Sequence, residues 1–157
     1  GCQLVGACDL AVAGETTRFG EPEVRFGSGI VAMLAPYVIG PKHAKELLLT
    51  GNDKITADRC YQMGILNRVV ADGEEMEAAL ELANQIVSAA PRSVQRTKTA
   101  IHRAYELAEM RTALREALEI DIKIESDESP ERREFNRIRK EQGLKAALTW
   151  RDQNAAG

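Results

Sequence analysis

Hydrophobic positions change their rhythm near residue 72. Before it, apolar residues come in short runs broken by glycine and proline. After it they recur every three or four positions through long charged stretches. That second rhythm marks amphipathic helices, each with one apolar stripe. Met76, Ala79, Leu80, Ala83, Ile86 and Val87 form a first stripe, which ends before Pro91. Val94, Thr97, Ile101, Ala104 and Tyr105 form a second. Met110, Ala113, Leu114, Ala117, Leu118 and Ile124 form a third. Pro130 opens a charged helix carrying Phe135 and Ile138, Gly143 ends it, and a last short helix carries Leu144, Leu148 and Trp150. The stripes predict core within the chain. The third is also expected at a contact between subunits, because so small a first part cannot cover every helix.

The first part reads as a compact α/β segment. Residues 1–8 predict a short buried helix, in which Gly6 costs ~1 kcal/mol against alanine. Residues 10–14 predict a buried strand ending at Gly14. Pro22 forbids a helix interior, so residues 20–23 form a turn or extended loop. Gly27 and Gly29 bracket another loop. Pro41 sits at the start of a short helix that places Ala44, Leu47 and Leu48 on one face and stops at Gly51. Thr56 can cap a helix over 57–63, Gly64 can end it, and 65–70 read as a strand.

Composition narrows the classes. The chain has 157 residues, 44% of them hydrophobic, enough for one domain-sized core. Aromatics are only 4%, so that core is aliphatic. With 21 basic against 24 acidic residues the net charge is −3, without the basic excess of a nucleic-acid surface. Residues 1–72 hold 7 basic and 8 acidic residues, and residues 73–157 hold the other 14 and 16. The expected division is therefore 1–72 and 73–157. No apolar run reaches the ~18 residues of a membrane span, and no secretory leader is visible. Cys2, Cys8 and Cys60 form no CxxC pair, which suits reduced cytoplasmic thiols. The chain opens without methionine, already in apolar sequence, and reads as the later part of a longer protein.

Candidate chemistry emerges by elimination. His43 and His102 stand alone on predicted helices, with no serine or cysteine partner at a recognised spacing. No HExxH, EF-hand, P-loop or GxGxxG motif is present, and Gly27-Ser28-Gly29 is too short to cradle a phosphate. What remains is RFGEPEV, residues 18–24, with Glu21 and Glu23 on either side of Pro22. A carboxylate held between apolar Phe19 and Val24 has a raised pKa and can shuttle protons. Glu23 is therefore expected to be buried enough to protonate near neutral pH. In its ordinary setting Glu-Pro-Glu is a solvated turn, and Glu21 is expected to be such a turn charge.

Four segments together carry a resemblance. GCQLVGACDLAVAG, RFGEPEV, the run from Ile39 through GPKHAKELLLTG, and ITADRCYQMGILNRVV resemble, in order and spacing, the enoyl-CoA hydratase/isomerase (crotonase) superfamily. The pattern there is roughly GGGCELALACDLRIA, FGxPEVxLG, a Gly-Lys-Ala helix with a leucine run and Thr-Gly, then IsAeeAxxxGLVnrVV. The resemblance implies the later part of a crotonase-type ββα spiral over 1–72. Residues 73–157 would then be a helical assembly region that builds trimers or hexamers. It also implies an acyl-CoA substrate, with coenzyme A as part of the substrate and no separate metal or redox cofactor. An upstream half would supply one oxyanion-hole N–H and most coenzyme A contacts. The second oxyanion glycine would fall just before Gly1.

Carried over by position, the family's two glutamates fall on Gln3 and Glu23. Gln3 hydrogen-bonds but moves no proton. Hydration needs one group to activate water and another to protonate the α-carbon. Isomerisation of a 3-enoyl to a 2-enoyl thioester needs one base. The resemblance thus favours isomerase-like chemistry with Glu23 as proton shuttle and Gln3 as a positioning group. Hydration through another second carboxylate, with Glu21 available, is one alternative. A non-catalytic homologue acting as an oligomer module is another. The stretch SGIVAMLAPYVI replaces the usual PGAGGTQRL, whose backbone helps hold water, and is about three residues short of the pattern. Phe26 is placed either along the acyl pocket or in the core. Trp150 and Arg151 align with the segment in which basic residues approach coenzyme A of a neighbouring subunit.

Overall fold

The computed structural model describes residues 1–30 and 33–154. Its elements run α1 (Cys2–Ala7), β1 (Val12–Gly14), β2 (Arg18–Phe19), a 3-10 turn (Glu23–Phe26), α2 (Ala35–Val38) and α3 (Gly40–Thr50). They continue as β3 (Ile55–Thr56), α4 (Ala57–Met63), β4 (Arg68–Val70), α5 (Glu75–Val87), α6 (Pro91–Leu107), α7 (Met110–Ser126), α8 (Pro130–Gln142) and α9 (Leu144–Asn154). The chain is thus predominantly helical, with two small strand pairs. β1 and β4 run parallel, Ala13 opposite Val69, and β2 and β3 run antiparallel, Phe19 opposite Ile55. The β2–β3 pair is too short to leave a two-residue alternation in the sequence.

Local chemistry explains the element ends. The Thr56 hydroxyl accepts from the Arg59 N–H at 3.2 Å and caps α4. Gly64 closes that helix with φ 88°, a conformation that costs a residue with Cβ. Ser129 caps α8 in the same way through the Arg132 N–H. Gly20 serves close approach: a Cβ there would run into the Asp53 backbone, so only glycine lets the Phe19–Glu23 segment lie against the turn before β3.

The main core is aliphatic. Ala44, Leu47 and Leu48 of α3 meet Ala57, Cys60 and Met63 of α4, with Phe19, Ile55, Ile65 and Leu66 around them. A second cluster joins Phe135 and Ile138 of α8 to Ala147 of α9, and Phe26 and Trp150 pack on it. Phe26 and Phe135 stack with centroids 4.6 Å apart, which ties the 3-10 turn to α8.

All three stripes are corrected: on α6 only Val94 is half-buried, and Thr97, Ile101, Ala104 and Tyr105 are exposed. On α5 the face turned inward carries Ala78 and Leu82, while Met76, Leu80, Ile86 and Val87 are exposed. The helix docks on β1 and β4, whose small surface needs only those two residues. On α7 the upper stripe, Met110 to Ala117, is half-buried, but Leu118 and Ile124 are exposed and Asp121 is the buried residue. Within the chain α7 thus turns a polar side chain toward the 27–29 loop. Among the described residues no helix is long and apolar enough to cross a membrane.

Candidate active site

The site is assembled where α1 meets the Gly20–Phe26 segment. α1 presents Cys2, Gln3 and Gly6 to a small cavity of about 30 Å³, which Glu21, Leu34 and Leu47 also line. That space exceeds the roughly 10–15 Å³ of accessible volume that one water molecule needs. Glu21 is 6% exposed, against the expectation of a solvated turn charge. The reason is the tight packing at Gly20, which turns the next side chain inward under α1.

The electrostatics of Glu21 follow from that burial. Removal from water pushes its carboxyl up, and the negative charge of Glu23 adds to the effect. Hydrogen bonding with the Cys2 and Gln3 side chains opposes the rise without cancelling it. No cation is among these neighbouring side chains. The Cys2 thiol is itself pushed up to about 12, first by burial and then by the Glu21 charge. At neutral pH it is a thiol and a hydrogen-bond partner, not a nucleophile.

Glu23 opens the 3-10 turn, directly after Pro22. It is half-buried, and its Oε2 is buried with no hydrogen-bond partner among the described residues. Its expected apolar wall is only half built: Phe19 is core, but Val24 points outward at 42% exposure. The turn is tied in its interior and just beyond its C-terminal end. Arg25 reaches Asp152 at 3.3 Å and Asp53 at 3.7 Å. Beyond the turn, the Ser28 N–H donates to the Glu23 carbonyl at 3.0 Å, and the Ser28 hydroxyl and Gly29 N–H donate to Glu125 of α7. Glu125 also pairs with Arg132 of α8. These donors and the guanidinium hold its carboxyl down at about 2.

The other predicted residues lie elsewhere. Phe26 stacks on Phe135, half-buried against the α8–α9 cluster, and does not line the Gln3–Glu21 cavity. Trp150 packs on that same aromatic cluster. Arg151 is buried, donating to Asp53 at 2.6 Å and to Asp152 at 2.8 Å. It is therefore an internal ion-pair partner in this chain, not a free cation. A buried guanidinium needs such partners, and a sequence cannot announce that one of them, Asp53, lies 98 positions away. The Glu125 tether escaped sequence reasoning for the same cause. Of the stretch SGIVAMLAPYVI, Val31 and Ala32 lie outside the described residues.

With that geometry in place, comparison with known proteins is informative. The sequence pattern of the Enoyl-CoA hydratase/isomerase family matches residues 1–138, and the chain belongs to that family. Among curated relatives, it is 38% identical over 111 residues to a short-chain-enoyl-CoA hydratase of Clostridium acetobutylicum, covering 68% of this chain and 41% of that one. It is also 38% identical over 108 residues to a carnitinyl-CoA dehydratase of Salmonella typhi, covering 66% and 40%. Among solved structures, an enoyl-CoA hydratase/isomerase from Xanthobacter autotrophicus Py2 superimposes with a TM-score of 0.90 at 45% identity, covering 97% of this chain and 56% of that one. The chain thus spans about two fifths of the length of the curated relatives it matches.

Proposed function

We propose that this chain supplies the proton-transfer wall of an acyl-CoA enzyme that works through a thioester enolate. Glu23 is the shuttle and Gln3 the positioning group. The substrate is an enoyl-CoA thioester, coenzyme A being part of the substrate and no separate cofactor being required. The observation that carries this reading is the Glu23 Oε2: buried, without a hydrogen-bond partner among the described residues, at the head of a turn tied through Arg25 and Ser28. A carboxylate oxygen so held is free to take a proton from carbon.

The simplest reaction is isomerisation of a 3-enoyl to a 2-enoyl thioester. Glu23 removes a proton from C2, the negative charge moves onto the thioester oxygen, and the same proton returns at C4. The oxyanion donors belong to the rest of the family fold, with which this chain would complete the site. In this reading 1–72 continues the family's ββα spiral. The region 73–157 assembles trimers or hexamers through the apolar positions left exposed on α5, α6 and α7, such as Leu80, Ile101 and Ile122.

The test is Glu23→Gln in the full-length protein, assayed for isomerisation of a 3-enoyl-CoA. The expected outcome is a loss of about 10²–10⁴-fold in kcat with KM nearly unchanged. Activity within tenfold of the wild type would remove Glu23 from the mechanism.

A further inference from the structure

We propose that Glu125 of α7 is a positioning residue for Glu23: through Ser28 and Gly29 it fixes the backbone that aims the Glu23 carboxylate at its substrate. The proposal rests on the reading of Glu23 as proton shuttle and deepens it. It gives the helical region 73–157 a part in the chemistry itself.

The need for such a residue comes from Glu23. Its Oε2 is buried and receives no orienting hydrogen bond among the described residues. A proton shuttle works only where its oxygen meets the reacting carbon, so the backbone of the turn must do the aiming. That backbone is held from the loop that follows. The Ser28 N–H donates to the Glu23 carbonyl at 3.0 Å. Ser28 is held in turn by Glu125: its hydroxyl donates to Glu125 Oε1, and so does the Gly29 N–H at 3.3 Å. The other carboxylate oxygen, Oε2, accepts from the Arg132 guanidinium of α8. Each oxygen of Glu125 thus has its own duty, one toward the loop and one toward α8. The Arg132 contact above all keeps Glu125 ionised. An ionised carboxylate only accepts, which matches the donors on both its sides.

The glycines flanking Ser28 show how closely the loop lies against these helices. A Cβ at Gly27 would run into the Ser129 hydroxyl at the start of α8, and one at Gly29 into the Asp121 carboxylate of α7. Gly27-Ser28-Gly29, too short to cradle a phosphate, is thus shaped for the grip of α7 and α8. Asp121 is buried one turn before Glu125, but its Oδ1 has no hydrogen-bond partner among the described residues. The carboxylate that holds the loop is therefore Glu125.

The test measures kcat and KM for isomerisation of a 3-enoyl-CoA in four forms of the full-length protein: wild type, Glu125→Gln, Glu23→Gln and the double variant. Glu125→Gln keeps the side chain's size but turns an NH2 group toward either Arg132 or the loop donors, so one of the two contacts fails. A misplacement of about 1 Å costs on the order of 10²-fold. The expected fall in kcat is about 10- to 100-fold, with KM within about twofold of wild type. In the Glu23→Gln background the same replacement should change kcat less than about twofold, because no shuttle is left to aim. General damage to the fold would instead lower kcat by the same factor in both backgrounds. Ser28→Ala removes one hydroxyl and leaves the pairing of Glu125 with Arg132 intact, so it carries the question where Glu125→Gln folds poorly. Its kcat should fall about three- to tenfold, again only where Glu23 is present. Equal loss in both backgrounds would overturn the proposal, as would an undiminished kcat in either Glu125→Gln or Ser28→Ala. Full activity of Glu23→Gln alone would overturn the Glu23 reading and the proposal with it, a result read from that single variant and so separable from the others.

Discussion

Two glutamates are held next to the same short turn, and their surroundings drive them in opposite directions. Glu21, before the turn, is buried among a thiol, an amide and another carboxylate, and its affinity for a proton rises. Glu125, reaching the loop after the turn from α7, accepts from Ser28 and Gly29 and pairs with Arg132, and its carboxyl is held at about 2. The difference lies in what accompanies the charge. With a cation and N–H donors a carboxylate becomes a fixed anion and serves as a structural tie. With neutral or negative company its affinity for a proton rises. The turn that bears Glu23 lies between them, chemistry at its head and anchorage at its foot.

The largest break of this pairing acts on the anchorage. Phe135→Ala removes the ring on which Phe26 stacks and opens a cavity in the α8–α9 cluster. It should cost about 3–5 kcal/mol of stability in chemical denaturation. A loss under 1 kcal/mol would mean that the turn does not depend on that stack.

A smaller change sharpens the contrast. Glu125→Gln keeps the shape and removes the charge opposite Arg132. Because this carboxylate is partly exposed, the expected loss at neutral pH is about 1 kcal/mol. The sign with pH is fixed by the lowered folded value. The Glu125 contribution is complete above the ordinary carboxylate range and disappears as pH falls toward about 2. The gap between variant and wild type, followed by urea unfolding across pH, should therefore close on the acid side. A gap that widens on acidification would contradict the assignment.

The sequence made the scaffold legible where one residue type dictates one local geometry. Thr56 and Gly64 frame α4, Gly51 ends α3, and the three- and four-residue spacing marks α5 to α9. The RFGEPEV segment also singled out Glu21 and Glu23, and the family resemblance Gln3. What the sequence did not carry was which helix face finds a surface, as α5 shows by turning in Ala78 rather than Leu80. Nor did it reveal that Glu21 is buried. That follows from the approach of Gly20 to Asp53, 33 positions apart in the chain and invisible to any local pattern. The ties of Arg151 to Asp53 and of Glu125 to Ser28 were hidden for the same reason.

The most direct test follows the Glu21 carboxyl itself. Carbon-13 NMR of labelled glutamate in the full-length protein, assigned by the signal lost in Glu21→Gln, would record its titration beside Cys2, Gln3 and Glu23. Because the folded value is raised, the stabilising contribution of the protonated form is complete at low pH and fades as pH rises through it, the reverse of Glu125. The account predicts titration above the ordinary glutamate value of about 4.3, with a partial fall in Glu23→Gln, since burial is the larger cause and remains. A Glu21 carboxyl that titrates at or below the ordinary value would contradict it.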